Sequence, residues 1–101
     1  MHAATLAALG EPSRLRIVEW LRSGPSSVGE LVEALGIRQP QVSKHLKVLN
    51  ESGIVSGEQD GRRRIYRLEA EAFESIAQWA GSFERSWEVR LDSLGEFLED
   101  R

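Results

Sequence analysis

Between residues 39 and 49 the sequence reads Gln-Pro-Gln-Val-Ser-Lys-His-Leu-Lys-Val-Leu, interleaving apolar side chains with short hydrogen-bonding groups and cations. At roughly 100° per residue, Leu46 and Leu49 fall within about 40° of Val42, whereas Pro40, Lys44 and Lys47 fall on the opposite side. Gln41 and Ser43 lie on the flanks, and Gln39 sits at the helix start. The chemistry on offer suits a nucleic acid. Gln can pair a donor and an acceptor with the adenine edge, Ser serves a base edge or a phosphate, and Lys suits guanine or a phosphate. Taken alone, the pattern is equally that of a solvated helix face.

A second feature follows at once. Arg62, Arg63 and Arg64 stand beside Asp60-Gly61, the strongest short hairpin signal, so a tight turn carries three guanidinium groups. Such an arm can reach a minor groove or a phosphate row; the bland alternative is a set of charges that keeps an edge strand unpaired. The net charge of -3 hides an uneven distribution. Residues 1–37 hold three Arg against four Glu, and residues 68–101 hold three Arg against nine acids. Residues 38–67 instead carry seven cations against three acids, a basic stretch that can meet a polyanion while the flanks resist nonspecific adhesion.

The elements that must position these groups are punctuated clearly. An Ala- and Leu-rich run over residues 3–9 ends at Gly10, and Glu11-Pro12-Ser13 opens a helix whose apolar face is Leu15, Ile17, Val18 and Leu21. Ser23-Gly24-Pro25 stops it. Ser27 followed by Glu30 is a capping box, Leu31, Val32 and Leu35 supply the next buried stripe, and Gly36 ends that helix. The helix carrying Val42, Leu46 and Leu49 follows after a tight turn, with Arg38 before it and Pro40 in its first turn, and closes at Gly53. Ile54-Val55 begins a strand that reaches the Asp60-Gly61 turn, and Arg64 to Leu68 alternate on the return. From Ala70 the positions Phe73, Ile76, Ala80, Phe83, Trp87, Leu91, Leu94 and Leu98 step by three or four, predicting one long helix or two broken near Gly81.

Together Leu9-Gly10-Glu11-Pro12-Ser13-Arg14-Leu15-Arg16-Ile17, Val42 to Leu49 and Gly61-Arg62-Arg63 resemble the ArsR-type family of bacterial winged-helix repressors. The fold this implies is mainly α with a small β-hairpin, in the order α-α-α-α-β-β-α, as a single domain over residues 1–101. The resemblance implies a cytoplasmic homodimer paired through its terminal helices, about residues 2–10 and 70–100. It would bind double-stranded DNA at a palindromic operator and release it to an effector. The family's contact surface maps onto Arg38, Gln39, Gln41, Ser43, Lys44, Lys47, Arg62, Arg63 and Arg64. Arg38 departs from the small capping Ser or Thr usual there, leaving the helix less well capped or placing Arg38 on a phosphate. The pairing surface is expected at Leu6, Leu9, Trp79, Phe83, Trp87, Leu91 and Leu94, an aromatic seam larger than one extra helix needs for its own core.

With no cysteine, disulfides, thiolate metal ligands and thiol nucleophiles are excluded. The family's metal motifs, a Cys-containing helix before the turn or Asp, His and Glu on the last helix, are absent, so the resemblance is to the metal-independent branch and no metal or cofactor is expected. The only histidines are His2, expected in a mobile terminus, and His45, expected as a half-buried packing or hydrogen-bonding residue. No phosphate loop or catalytic set is present, so an enzyme is not expected. Neither a membrane span nor an export leader is expected. The effector would be a small apolar molecule at the dimer interface, if one exists. A winged-helix module for protein contact and a metalloregulator using carboxylates are the competing readings.

Overall fold

The computed structural model describes the backbone of residues 3–99 and their side chains except those of residues 89, 92–94 and 96–99. His2 and the side chain of Leu94 therefore lie outside the described residues. The elements run α1 (Ala3–Leu9), α2 (Pro12–Leu21), β1 (Ser26–Ser27), α3 (Val28–Leu35), α4 (Gln39–Glu51), β2 (Val55–Asp60), β3 (Arg63–Leu68) and α5 (Ala70–Glu99). The element order adds one strand to expectation. Ser26 and Ser27 pair antiparallel with Tyr66 and Ile65, so the hairpin becomes a three-stranded sheet of order β1-β3-β2.

The core is made of Ile17, Val18 and Leu21 from α2, Leu31 from α3, Val42, Leu46 and Leu49 from α4, with Ala8, Ile54 and Val55 completing it. Leu15 is a correction. Its spacing placed it on the apolar face of α2, but the core is centred on Ile17, Val18 and Leu21, and Leu15 stands 46% exposed in a groove with Pro12, Trp20 and Leu35. Val32 and Leu35 are half-buried at the core's margin.

Local signals fix the helix ends. Glu11 caps α2, its carboxylate accepting from the Arg14 backbone N–H at 2.8 Å, and Arg14 donates its Nε to the Ala8 carbonyl at 2.7 Å, joining α1 to α2. Ser27 and Glu30 form the expected capping box, each accepting from the other's backbone N–H at 3.1 Å. Gly36 ends α3 in the left-handed region at φ 67°. The hairpin turn differs by one residue from expectation. Asp60 stays in the ladder opposite Arg63, leaving Gly61-Arg62 as the loop, and only Gly61 of these has positive φ, 62°. A two-residue loop with Gly first is the type II′ solution, whereas Asp60-Gly61 as the central pair would have required positive φ at an aspartate.

α5 is one continuous helix of 30 residues with no break at Gly81. Phe73 at its start packs on the core, while Trp79, Phe83, Trp87 and Leu91 are 42–60% exposed. The chain is consequently 70 Å long and 23 by 22 Å across, with a radius of gyration of 19.1 Å, against about 13 Å for a compact chain of this length. Among the described residues no helix is long and apolar enough to cross a membrane.

The capping box carries a pH dependence. Hydrogen bonds from the Ser27 backbone and hydroxyl, and then the nearby Arg63 cation, hold the Glu30 carboxyl below its ordinary value of 4.5. A depressed folded-state pKa adds stability that is present above the unfolded value and lost as pH falls through the folded one. Thermal melts of the wild type and Glu30→Gln are therefore expected to differ most at neutral pH and to converge below pH 4.5. A difference that persists unchanged in acid would contradict this.

Candidate nucleic-acid interface

α4 is held by complete burial of Val42, Leu46 and Leu49, which fixes its rotation about its axis. Gln39, Gln41, Ser43, Lys44 and Lys47 are thereby turned outward, and all are exposed, as is Arg38 before the helix. Arg38 occupies the N-cap position without making a side-chain cap hydrogen bond, so its guanidinium is not spent on the helix start. Among the described residues, Arg38, Lys44 and Lys47 have no carboxylate partner.

His45 sits between the two faces, half-buried, with Nδ1 3.9 Å from a carboxylate oxygen of Glu11. That separation is too long for a hydrogen bond, and Nδ1 is buried without a partner among the described residues. The residue joins α4 to the α2 cap by packing. Among the described residues, no three His, Cys, Asp or Glu side chains cluster as a metal site.

The hairpin brings its cations beside the start of α4. Gln39 and Arg62, Arg63 and Arg64 line a concavity of about 330 Å³ whose floor is the first turn of α3. The three arginines are not equivalent. Arg64 lies back along its own hairpin, donating to the Tyr66 hydroxyl at 3.2 Å and the Gly57 carbonyl at 3.3 Å, with its guanidinium carbon 5.7 Å from the centre of the Tyr66 ring. Arg63 reaches Glu30 at 3.4 Å. Arg62, at the turn, has no ion-pair partner among the described residues.

Glu30, Gly57 and Tyr66 shape this surface and were not singled out from the sequence as part of it. Gly57 carried a signal, since an isolated glycine in a strand marks a close approach. A Cβ there would stand 2.7 Å from Arg64 Nε and 2.9 Å from the Tyr66 ring. Glu30 carried none, because its partner is 33 residues away.

A second surface runs along α5, where Trp79, Phe83, Trp87 and Leu91 recur every four residues. Trp79 and Phe83 meet edge to face, ring centres 5.0 Å apart. Leu6 of α1 is 36% exposed, whereas Leu9 is half-buried against its own chain's core.

Comparison with known proteins agrees with this architecture. Residues 11–56 match the family described as bacterial regulatory protein, arsR family. The HTH-type transcriptional repressor SmtB of Mycobacterium tuberculosis is 51% identical over 63 residues, 62% of this chain and 47% of that protein, so the match spans about half of the relative's length. The M. tuberculosis HTH-type transcriptional regulator Rv2034 is 35% identical over 92 residues, covering 91% of this chain and 83% of that one. The crystal structure of the transcriptional repressor BigR from Xylella fastidiosa superposes with a TM-score of 0.65 at 41% identity, covering 80% of this chain and 84% of that chain. With its helix-turn-helix of α3 and α4 and its β2–β3 wing, this chain belongs to the arsR family of bacterial regulatory proteins.

Proposed function

We propose that this chain is a cytoplasmic, homodimeric repressor that binds a short palindromic operator, with α4 in the major groove and the β2–β3 wing on the flanking backbone or minor groove. The observation that carries the reading is the juxtaposition of Gln39, at the exposed start of α4, with Arg62 to Arg64 around one concavity. Short polar groups on a rigidly seated helix suit base edges, and guanidinium groups beside it suit phosphates. The names of SmtB and BigR as repressors support the direction of regulation.

Pairing through α5 is supported by the extended shape of the chain. Four large apolar side chains on a helix that projects from the core form a continuous patch of the kind that marks an interaction site in a soluble protein. A two-fold axis there, with Leu6 and Leu9 of α1 contributing, would set two copies of α4 at the roughly 34 Å spacing of successive major grooves. The groove of about 290 Å³ at Phe83, Ser86, Trp87 and Arg90 is where a small apolar effector would meet that seam. Metal-independent sensing is supported by the lack of cysteine in the sequence.

Three outcomes test the reading. In gel shifts against the DNA upstream of the chain's own gene, affinity is expected to fall steeply with salt, and Lys44→Ala or Arg62→Ala to flatten the log–log slope by about one unit each. Failure to shift duplex, or a salt-independent shift, would assign the fold to protein contact instead. In sedimentation equilibrium the wild type is expected as a dimer and Trp87→Glu as a monomer; a monomeric wild type removes the two-fold reading. Zinc or cadmium is expected to leave duplex affinity unchanged, and a tenfold change on adding either would contradict metal independence.

A further inference from the structure

Of Arg62, Arg63 and Arg64, Arg63 is the one with a carboxylate partner among the described residues. Its Nη1 lies 3.4 Å from Glu30 Oε1, and the same oxygen accepts the Ser27 backbone N–H at 3.1 Å. An exposed ion pair usually contributes little, partly because two long side chains must be held in one geometry. Here one of the two is already held. The capping box fixes the Glu30 carboxylate, and hydrogen bonding from Ser27 favours its charged form. The pairing of Ser26 with Tyr66 and Ser27 with Ile65 sets β3 against the start of α3, so the meeting of Arg63 and Glu30 follows from the sheet register.

Arg63 lines the concavity between the wing and the start of α4, and Glu30 follows directly on Ser27, Val28 and Gly29 of the same lining. A phosphate entering there meets Arg62, which has no ion-pair partner among the described residues, and Arg63, already engaged by a carboxylate. Phosphate and carboxylate compete for the same guanidinium donors, and both bind them with charge-assisted hydrogen bonds.

We propose that Glu30 is a built-in competitor for DNA phosphate: by engaging Arg63 it sets the sequence-independent grip of the wing on duplex DNA. Glu30 is a positioning residue, acting through Arg63 and not on the bases. Removing its charge strengthens binding to operator and to unrelated duplex by the same factor, leaving their ratio unchanged. The proposal rests on the wing being part of the DNA interface.

The test is a double-mutant cycle of Glu30→Gln and Arg63→Ala in the full chain, read as affinity for the operator and for a random-sequence duplex across a salt series. Gln at this position still serves a capping box, so the substitution removes the charge and keeps the helix start. Glu30→Ala is the second uncharged variant, and circular dichroism verifies the helicity of both. Glu30→Gln is expected to raise affinity for both duplexes roughly three- to tenfold at low salt and to steepen the salt slope by about one phosphate contact. In the Arg63→Ala background the same substitution is expected to change neither quantity. An unchanged slope overturns the proposal. So does a gain that survives undiminished without Arg63, which would make Glu30 a general repulsive charge. A different result marks failure of the underlying reading: duplex binding whose affinity and slope are untouched by Arg63→Ala would take the wing out of the interface, and the proposal with it.

Discussion

The structure depends first on the burial of one stripe of α4. Val42, Leu46 and Leu49 are completely inaccessible, packed with Ile17, Leu31, Ile54 and Val55. Each such side chain contributes about 1.5–3 kcal/mol relative to exposure. Turning α4 by one residue, about 100°, would exchange this stripe for positions that include Ser43 and Lys47, whose polar groups have no partners in the core. The two costs add, so the helix has one rotation. The outward set of Gln39, Gln41, Ser43, Lys44 and Lys47 is therefore a consequence of what is buried behind it. α4 packs on α1, α2, α3 and β2, which spreads that constraint over most of the domain.

The wing is placed by different means. Its cations lie on an exposed hairpin with few buried contacts, so register and turn chemistry must do what packing does for α4. β1 pins β3 at Ser26 and Ser27, and Gly61 supplies the positive φ that a two-residue loop requires. Gly57 leaves room for Arg64 and Tyr66 to lie across the strand. The result orders three adjacent arginines into three distinct environments: one against Tyr66, one against Glu30, and one at the turn with no ion-pair partner among the described residues.

What could be read from the sequence follows the range of the interactions concerned. The rotation of α4, the Ser27–Glu30 capping box and the end of α3 at Gly36 depend on residues within one or two helical turns, and all were legible. β1 was not, because two serines have no period and their partners are nearly 40 residues away. The turn shifted from Asp60-Gly61 to Gly61-Arg62 because the dipeptide signal names a turn without fixing its register; the pairing of Asp60 with Arg63 does that. Leu15 satisfied the helical period of α2, yet the core is narrower than the apolar stripe, and period alone does not say where it stops. The ion pair between Glu30 and Arg63 is a contact between distant segments that only the sheet register brings about.

Charge and shape then divide the molecule into two ends with different demands. The segment bearing α4 and the wing is cationic, and part of that charge is answered inside the domain, where Glu58 and Glu69 stand 3.7 and 3.8 Å from Arg67 and Glu30 stands beside Arg63. The segment bearing α5 is acidic, yet its exposed face at Trp79, Phe83, Trp87 and Leu91 is apolar. Acids on the remaining surface of α5 would repel a polyanion while leaving the apolar face free to associate. The exposed apolar surface of α5 and the cationic surface of α4 and the wing thus occupy separate elements of the fold.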